Sequence, residues 1–442
     1  MTHGTGRYEE DSGDIVMAFV GDALVGRRLD RHREPAFRAV GELLGGVDVT
    51  IANAETLFHD YEGAPVPDSG PYGTYVACPP AAIEDLRALG IDMVSTANNH
   101  CVDYGETGVL ANIANLRRYG MPFAGTGATL TEAVAPAYLD TRKGSVALVA
   151  VTITMPPGGH RAGEPRGVVK GRPGANVLRH SERHTVPGPA FAALREIGAR
   201  LPTSRRQFRD GAETLSLFGQ SYVLGEDYRT DHEPHADDLA LNLGWIRDAR
   251  RLADWVVVSV HCHEGGATRD EPAPFARRFA HLAVEAGADV VFGHGPQLDR
   301  GIEFHRGKPI LHALGNFVLH NELIRHQPWD LAARFGLAPT ATTADIYAER
   351  ARRFAGGLSE DPLNFRSAVA TVEFRAGSAA AIRLHPLDLG GDSATTRRGR
   401  PLLAHGRVAQ DVLLRFQKLC EPFGTTVEID GDVGTITTDS PQ

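Results

Sequence analysis

Six times along this sequence a short run of Val, Ile and Ala breaks off into an acid, an asparagine or a histidine. The runs 15–20, 47–52, 91–95, 255–260, 289–292 and 309–314 are followed by Gly21-Asp22, Asn53-Ala54-Glu55, Asn98-Asn99-His100, His261-Cys262-His263-Glu264, Gly293-His294-Gly295-Pro296-Gln297 and Gly315-Asn316. Each run has the length and β-branched content of a buried strand, as does 146–153. Between them lie segments with helical spacing: Ile83, Leu86 and Leu89 across 80–90, Leu110, Ile113 and Leu116 across 107–119, and Phe275, Phe279, Leu282 and Ala286 across 274–287. Strand–helix alternation predicts an α/β fold. Where such strands run parallel, their carboxyl ends emerge along one sheet edge, and ligands bind there. A single polar cluster is an ordinary turn, because Asn tolerates left-handed backbone and caps helices. Six clusters that all choose metal-ligand side chains predict one shared site.

The residue types indicate the chemistry. Asp, Glu, Asn and His offer hard oxygens and imidazole nitrogens suited to Mn, Fe or Zn. Cysteine is sparse in the set, which argues against a structural zinc site. A bridging carboxylate offsets the repulsion between two divalent ions, and neutral Asn and His complete the shells without cancelling Lewis acidity. Ions about 3.5–4 Å apart can activate water and grip the electrophile together. A histidine that is not a ligand can then protonate the leaving group, and His100, next to Asn99, is placed for it.

At 442 residues the chain is longer than a typical single domain. We read a polar tail at 1–13, a main domain at 14–385 and a small extension at 386–442. The strand–helix pattern is interrupted at 155–244 by a Pro-, Gly-, Arg- and His-rich insertion with one short amphipathic helix at 191–201. Residues 321–362 look helical, 368–374 and 380–384 look like an antiparallel pair, and the tail holds a helix at 407–421 and a hairpin at 426–437. A net charge of −9 argues against the broad basic surface that neutralises phosphates, so no nucleic-acid partner is expected. No stretch approaches the roughly 20 apolar residues of a membrane span, and the start MTHGTGRYEEDSGD has no basic-then-apolar pattern. The four cysteines Cys78, Cys101, Cys262 and Cys420 lie far apart without paired spacing, as in reduced cytosolic proteins, so a cytoplasmic location is expected. Arg172, in the insertion, and Arg300 are expected to hold an anionic small-molecule or peptide substrate. His180, His184, His232 and His235 read as surface residues.

The same residues resemble the CapA capsule-synthesis family, the branch of the calcineurin-like metallophosphoesterases associated with poly-γ-glutamate. The pieces are FVGD at 19–22, NAE at 53–55, NNHCVDYG at 98–105, VHCHEGG at 260–266, GHGP at 293–296 and HALGNF at 312–317. The resemblance implies a four-layer α/β/β/α sandwich with one or two divalent ions (Mn, Fe or Zn) at the sheet edges. It implies Asp22 as a ligand, Glu55 as the bridging carboxylate, Asn99 on the second ion, His261 and His294 as further ligands, and His100 as the acid. Glu264 and Asn316 would stand close by, and Asp103 would either orient His100 or, more commonly for such an Asp, cap the following helix. Two features depart from the family pattern. Gln297 stands where a second histidine is usual, and an amide oxygen is the weaker ligand, so one site is expected to be weak. His263 is an extra histidine that strand alternation points to the same side as His261, which leaves its role as a substitute ligand open. Family members in capsule assembly are typically membrane-associated, and no anchor is visible here. The implied function is metal-dependent hydrolysis of a phosphoester or of a glutamyl-type amide or imide. The alternative is a non-catalytic binding or assembly factor for a poly-γ-glutamate-type polymer.

Overall fold

The strand Ile15–Leu24 shows how residue order becomes layering. Ile15, Met17 and Phe19 join a buried cluster with Trp255, Val257, Val290, Phe292 and Leu311. Ala18 and Val20 join a separate cluster with Phe37, Val40, Leu44, Ile83 and Leu86. Successive side chains point to opposite faces, so one apolar run serves two layers. The first layer is another sheet; the second is the helix pair Pro35–Gly45 and Ala82–Ala88. The computed structural model describes residues 14–29, 32–67, 73–201, 208–353 and 360–437.

Two sheets dominate the larger unit, which comprises residues 1–177 and 241–442. In the first, Ile15–Leu24, Val49–Asn53, Met93–Ser95 and Phe123–Ala124 run parallel, and Arg366–Arg375 lies antiparallel on the other side of Ile15–Leu24. In the second, Gly144–Thr152, Trp255–His261, Val290–His294 and Lys308–Ala313 run parallel, flanked by the antiparallel strands Ala137–Thr141 and Arg300–His305. Phe19 meets Phe292 across the sandwich with ring centroids 5.4 Å apart, and Trp255 meets Phe374 at 4.7 Å. Fully burying each such side chain contributes about 1.5–3 kcal/mol. The helix Pro274–Ala286 covers the outside of the second sheet through Phe275, Phe279 and Ala283, and stops at Gly287, whose φ of 123° suits only glycine. The result is a four-layer α/β/β/α fold. The six apolar runs therefore divide between two sheets, three to each.

Residues 386–437 complete this unit. Glu428–Asp430 and Val433–Thr437 extend the first sheet beyond Ser378–Asp388, and the helix Arg407–Cys420 packs on both Ser378–Asp388 and Arg300–His305. The hairpin joining Arg366–Arg375 to Ser378–Asp388 turns on Ala376 and Gly377, both at positive φ, as a two-residue primed turn requires. Residues 321–353 form only the short elements Asn321–Leu323, Trp329–Arg334 and Thr343–Arg353, because Pro328 and Pro339 interrupt any longer helix; 354–359 lie outside the described residues. No helix among the described residues is long and apolar enough to cross a membrane.

The second unit, Leu178–Ala240, has among its described residues a five-stranded sheet ordered Phe208–Asp210, Thr214–Leu217, Gln220–Gly225, His180–Pro187, Arg229–Pro234, the helix Gly188–Arg200 and the start of the helix Ala236–Leu252. The segment read as a single insertion is thus shared: 155–177 belong to the larger unit. Its strands escaped sequence reading because they are polar and half-exposed, as in HSERHTVP.

His320 is fully buried and neither ring nitrogen has a hydrogen-bond partner. Burial, reinforced by the positive charges of Arg27, His32 and Arg400, lowers its pKa to about 3. It is neutral in the folded chain, whereas an unfolded chain protonates it below about 6.5. Its stabilising contribution is therefore present above pH 6.5 and is lost as pH falls from there toward 3. Between pH 7 and 5, His320→Leu should lose less stability than the parent, by about 1–2 kcal/mol in urea unfolding. Identical pH dependence in both chains would remove His320 as the cause.

Candidate metal centre

Asp22 owes its position to an irregularity in its strand. The pairing with Val49–Asn53 shifts register between Val20 and Asp22, and the Asp22 amide donates to Gly315 O at 3.0 Å. The carboxylate is fully buried: Oδ1 accepts from Asn53 Nδ2 at 2.7 Å and Oδ2 from the Gly295 amide at 2.9 Å. Asn98 donates in turn to Asn53 Oδ1 at 3.2 Å and to Ala54 O at 2.9 Å. Asn53 and Asn98 are thus struts, which frees Asn99 to face the centre.

The histidines arrive from the second sheet. Parallel pairing sets His261 beside His294, with their Nδ1 atoms 3.0 Å apart. His294 Nδ1 also lies 3.5 Å from Asp22 Oδ1, while its Nε2 is 2.6 Å from Ser259 Oγ. Ser259 was missed in the sequence, although alternation puts it on the same side as His261. The other His261 nitrogen, Nε2, lies 3.0 Å from Asn99 Oδ1, 3.0 Å from His263 Nε2 and 3.8 Å from Glu55 Oε1. His263 therefore faces the cluster with His261.

Glu55 carries the electrostatic tension. It is fully buried, its Oε2 accepts from Gln297 Nε2 at 3.0 Å, and its Oε1 has no hydrogen-bond partner. Burial, then the negative charge of Asp22, pushes its carboxyl well above the usual range. Burial, then the neighbouring imidazoles, pushes His261 well below the usual histidine value, and burial also lowers His263. With protonation disfavoured at His261 and His263, these imidazoles supply no positive charge to the two buried carboxyl groups, and a buried carboxylate is stable only when paired or metal-bound. A divalent cation fits this donor set. Asp22, His261 and His294 offer donor atoms within 4.8 Å of one another, and so do Glu55, His261 and His263. Both sets share His261, and a neutral imidazole has one lone pair to give. The buried amide oxygen of Gln297, which also has no hydrogen-bond partner, is a further oxygen donor on the Glu55 side. Gln297 is held there at a positive φ of 63°, its carbonyl accepting from Asn316 Nδ2 at 3.2 Å.

His100 stands at the rim. Its Nδ1 is 2.8 Å from Asp103 Oδ2 and its Nε2 is 4.0 Å from Glu55 Oε1. Asp103 does not cap the following helix: Gly105–Arg118 has no side-chain cap, and Asp103 Oδ2 instead accepts from the Val76 amide at 2.8 Å. Glu264 accepts from Thr154 Oγ1 at 2.5 Å and receives no contact from the cluster except through the adjoining His263. The two arginines expected on substrate both bond to backbone carbonyls of the protein itself. Arg300 is 2% exposed, because its antiparallel strand turns it inward, and it donates to Arg269 O at 3.1 Å and His263 O at 3.4 Å. It braces the loop that carries His263. Arg172 is exposed and donates to Arg161 O at 3.2 and 3.0 Å. The four cysteines are free and buried, and burial raises Cys101 to about 12 and Cys262 well above the usual thiol value, so neither is a thiolate nucleophile.

Residues 16–321 match the family model described as bacterial capsule synthesis protein PGA_cap. The uncharacterized protein y4sH of Sinorhizobium fredii is 35% identical over 433 residues, covering 96% of this chain and 93% of that protein. The PGA biosynthesis protein CapA of Bacillus subtilis is 22% identical over 71% of this chain and 66% of its own length. The probable polyglutamine synthesis accessory protein Rv0574c of Mycobacterium tuberculosis is 29% identical over 54% and 48%, respectively. The matched span runs from the strand that delivers Asp22 past the turn that holds Asn316, so the chain belongs to the PGA_cap family of bacterial capsule synthesis proteins.

Proposed function

We propose that this protein is a metal-dependent hydrolase acting on a glutamyl-type amide bond. The observation that carries hydrolysis over binding alone is the His100–Asp103 pair, 2.8 Å apart, with His100 Nε2 on the ring's other side, 4.0 Å from Glu55 Oε1. A recognition site has no use for an imidazole fixed in this way, whereas proton transfer to a leaving group needs it. Asp103 accepts from Nδ1 and supports the imidazolium, so a proton is held at Nε2 for the departing amine. Asp22, Glu55, Asn99, His261, His263 and His294 would hold the cation, and Asn53, Ser259 and the Gly295 amide keep those ligands aimed. A divalent ion such as Mn, Fe or Zn supplies Lewis acidity there when bound. The names of the Bacillus and Mycobacterium relatives, which refer to PGA biosynthesis and polyglutamine synthesis, support an anionic glutamyl substrate over a phosphoester.

The test is a screen of Mn-loaded protein against γ-glutamyl peptides and generic phosphoesters, with metal content measured in parallel. We expect at least one bound equivalent, and amine release from the γ-glutamyl peptides that stops on chelation and returns with metal. Turnover of phosphoesters alone would replace the amide substrate. Metal content well below one equivalent, with no activity on adding metal, would mark a non-catalytic assembly factor.

A further inference from the structure

The small unit carries a trio of side chains that the hydrolase reading does not use. Its strands His180–Pro187 and Arg229–Pro234 pair antiparallel, with Glu182 opposite His232 and His180 opposite Pro234. Alternation places His180 and Glu182 on one face, and a residue directly opposite Glu182 shares that face. His232 Nε2 lies 3.0 Å from Glu182 Oε1, and the His180 and His232 rings have centroids 5.3 Å apart. One donor atom from each of the three lies within 4.8 Å of the other two.

We propose that His180, Glu182 and His232 form a binding site for one divalent transition-metal ion of the zinc class, which clamps the two strands together. Two imidazoles and one carboxylate suit zinc, and three protein ligands leave a position for water. The oxygen-only shells that calcium and magnesium prefer are not on offer.

The location suits a clamp. Arg229–Pro234 is the edge strand of the five-stranded sheet and pairs with His180–Pro187. Further along the same face of His180–Pro187, His184 meets the Tyr222 ring and Val186 enters the unit's apolar cluster with Phe191 and Leu215. His180 and Glu182 sit at the strand's other end, beyond that small core. A unit of about 60 residues with so few buried apolar side chains gains from a staple, and the free energy of metal binding is folding free energy.

The test uses the full chain, stripped with chelator and titrated with Co2+ and then Zn2+. The parent should take up one equivalent more than His180→Ala/His232→Ala, and the extra Co2+ should show a visible band that Zn2+ displaces. On adding Zn2+, amides in 180–187 and 229–234 should exchange more slowly in the parent and be unchanged in the double variant. Glu182→Gln keeps a hydrogen-bond acceptor for His232 and should weaken uptake at least about tenfold, since even outer-shell partners are worth about 10–100-fold. Asp22→Asn/His294→Ala should lose ions at the sheet-edge centre but retain this equivalent, so the two sites fail independently. Equal uptake by the parent and the His180/His232 variant, or no Zn2+-dependent protection of these two strands in the parent, would overturn the proposal and leave only an ion pair.

Discussion

Replacing His100 by Asn should cut turnover about 10²–10⁴-fold while the metal content stays at the parental level. Asn keeps a polar side chain at a site that is about nine-tenths buried, so the fold has little reason to change. What disappears is the ring nitrogen Nε2, on the cluster side of an imidazole whose Nδ1 lies 2.8 Å from Asp103 Oδ2. Asp103→Asn should also slow turnover, through loss of the tautomer and orientation that the carboxylate imposes, and should alter the pH profile. The parallel metal assay separates the roles. Loss of metal in His100→Asn would make His100 a ligand, and unchanged turnover would end its assignment as the acid.

Gly21→Ala should unfold or empty the centre, costing about 3 kcal/mol or more. A Cβ at residue 21 would stand 1.7 Å from Leu314 O and 1.9 Å from Gly315 O. Both are backbone atoms of the segment that pairs with Ile15–Leu24 through Asn316–Leu319. No rotamer change relieves such an overlap, so the two strand ends must separate. That breaks the Asp22 amide bond to Gly315 O and moves the Asp22 carboxylate off its partners. Gly41→Ala, inside the helix Pro35–Gly45, is the control. Its new methyl would meet Leu89 Cδ1 at an ordinary 3.5 Å, and helix propensity favours alanine. Denaturant unfolding together with metal analysis distinguishes the two variants. Parental stability in Gly21→Ala would mean that the two strand ends can part without cost.

Much of the centre was legible in the linear order of residues. A buried strand announces itself by a dense apolar run, and the side chains just past its end have few structural reasons to be Asp, Asn or His together. That is why Asp22, Glu55, Asn99, His261 and His294, far apart in sequence, group together by their place after apolar runs alone. Hairpins with Gly at the turn, such as the one at Gly377, were equally visible because their signal is local.

Partnership, in contrast, is not written in periodicity. An apolar run says that a strand is buried, but not which sheet buries it, so the division of the six runs into two facing sheets came only from packing. Asn53 and Ser259 became supports, Asp103 an orienting group rather than a cap, and Arg300 a buried brace, because cross-strand register decides where a polar side chain finds its bond. The half-exposed strands of 178–240 were invisible for the complementary reason: their hydrogen-bonded neighbours hold them in place more than any apolar pattern of their own. Residue identity determined which carboxylate, amide and imidazole groups this chain offers; tertiary pairing decided which of their atoms face one another.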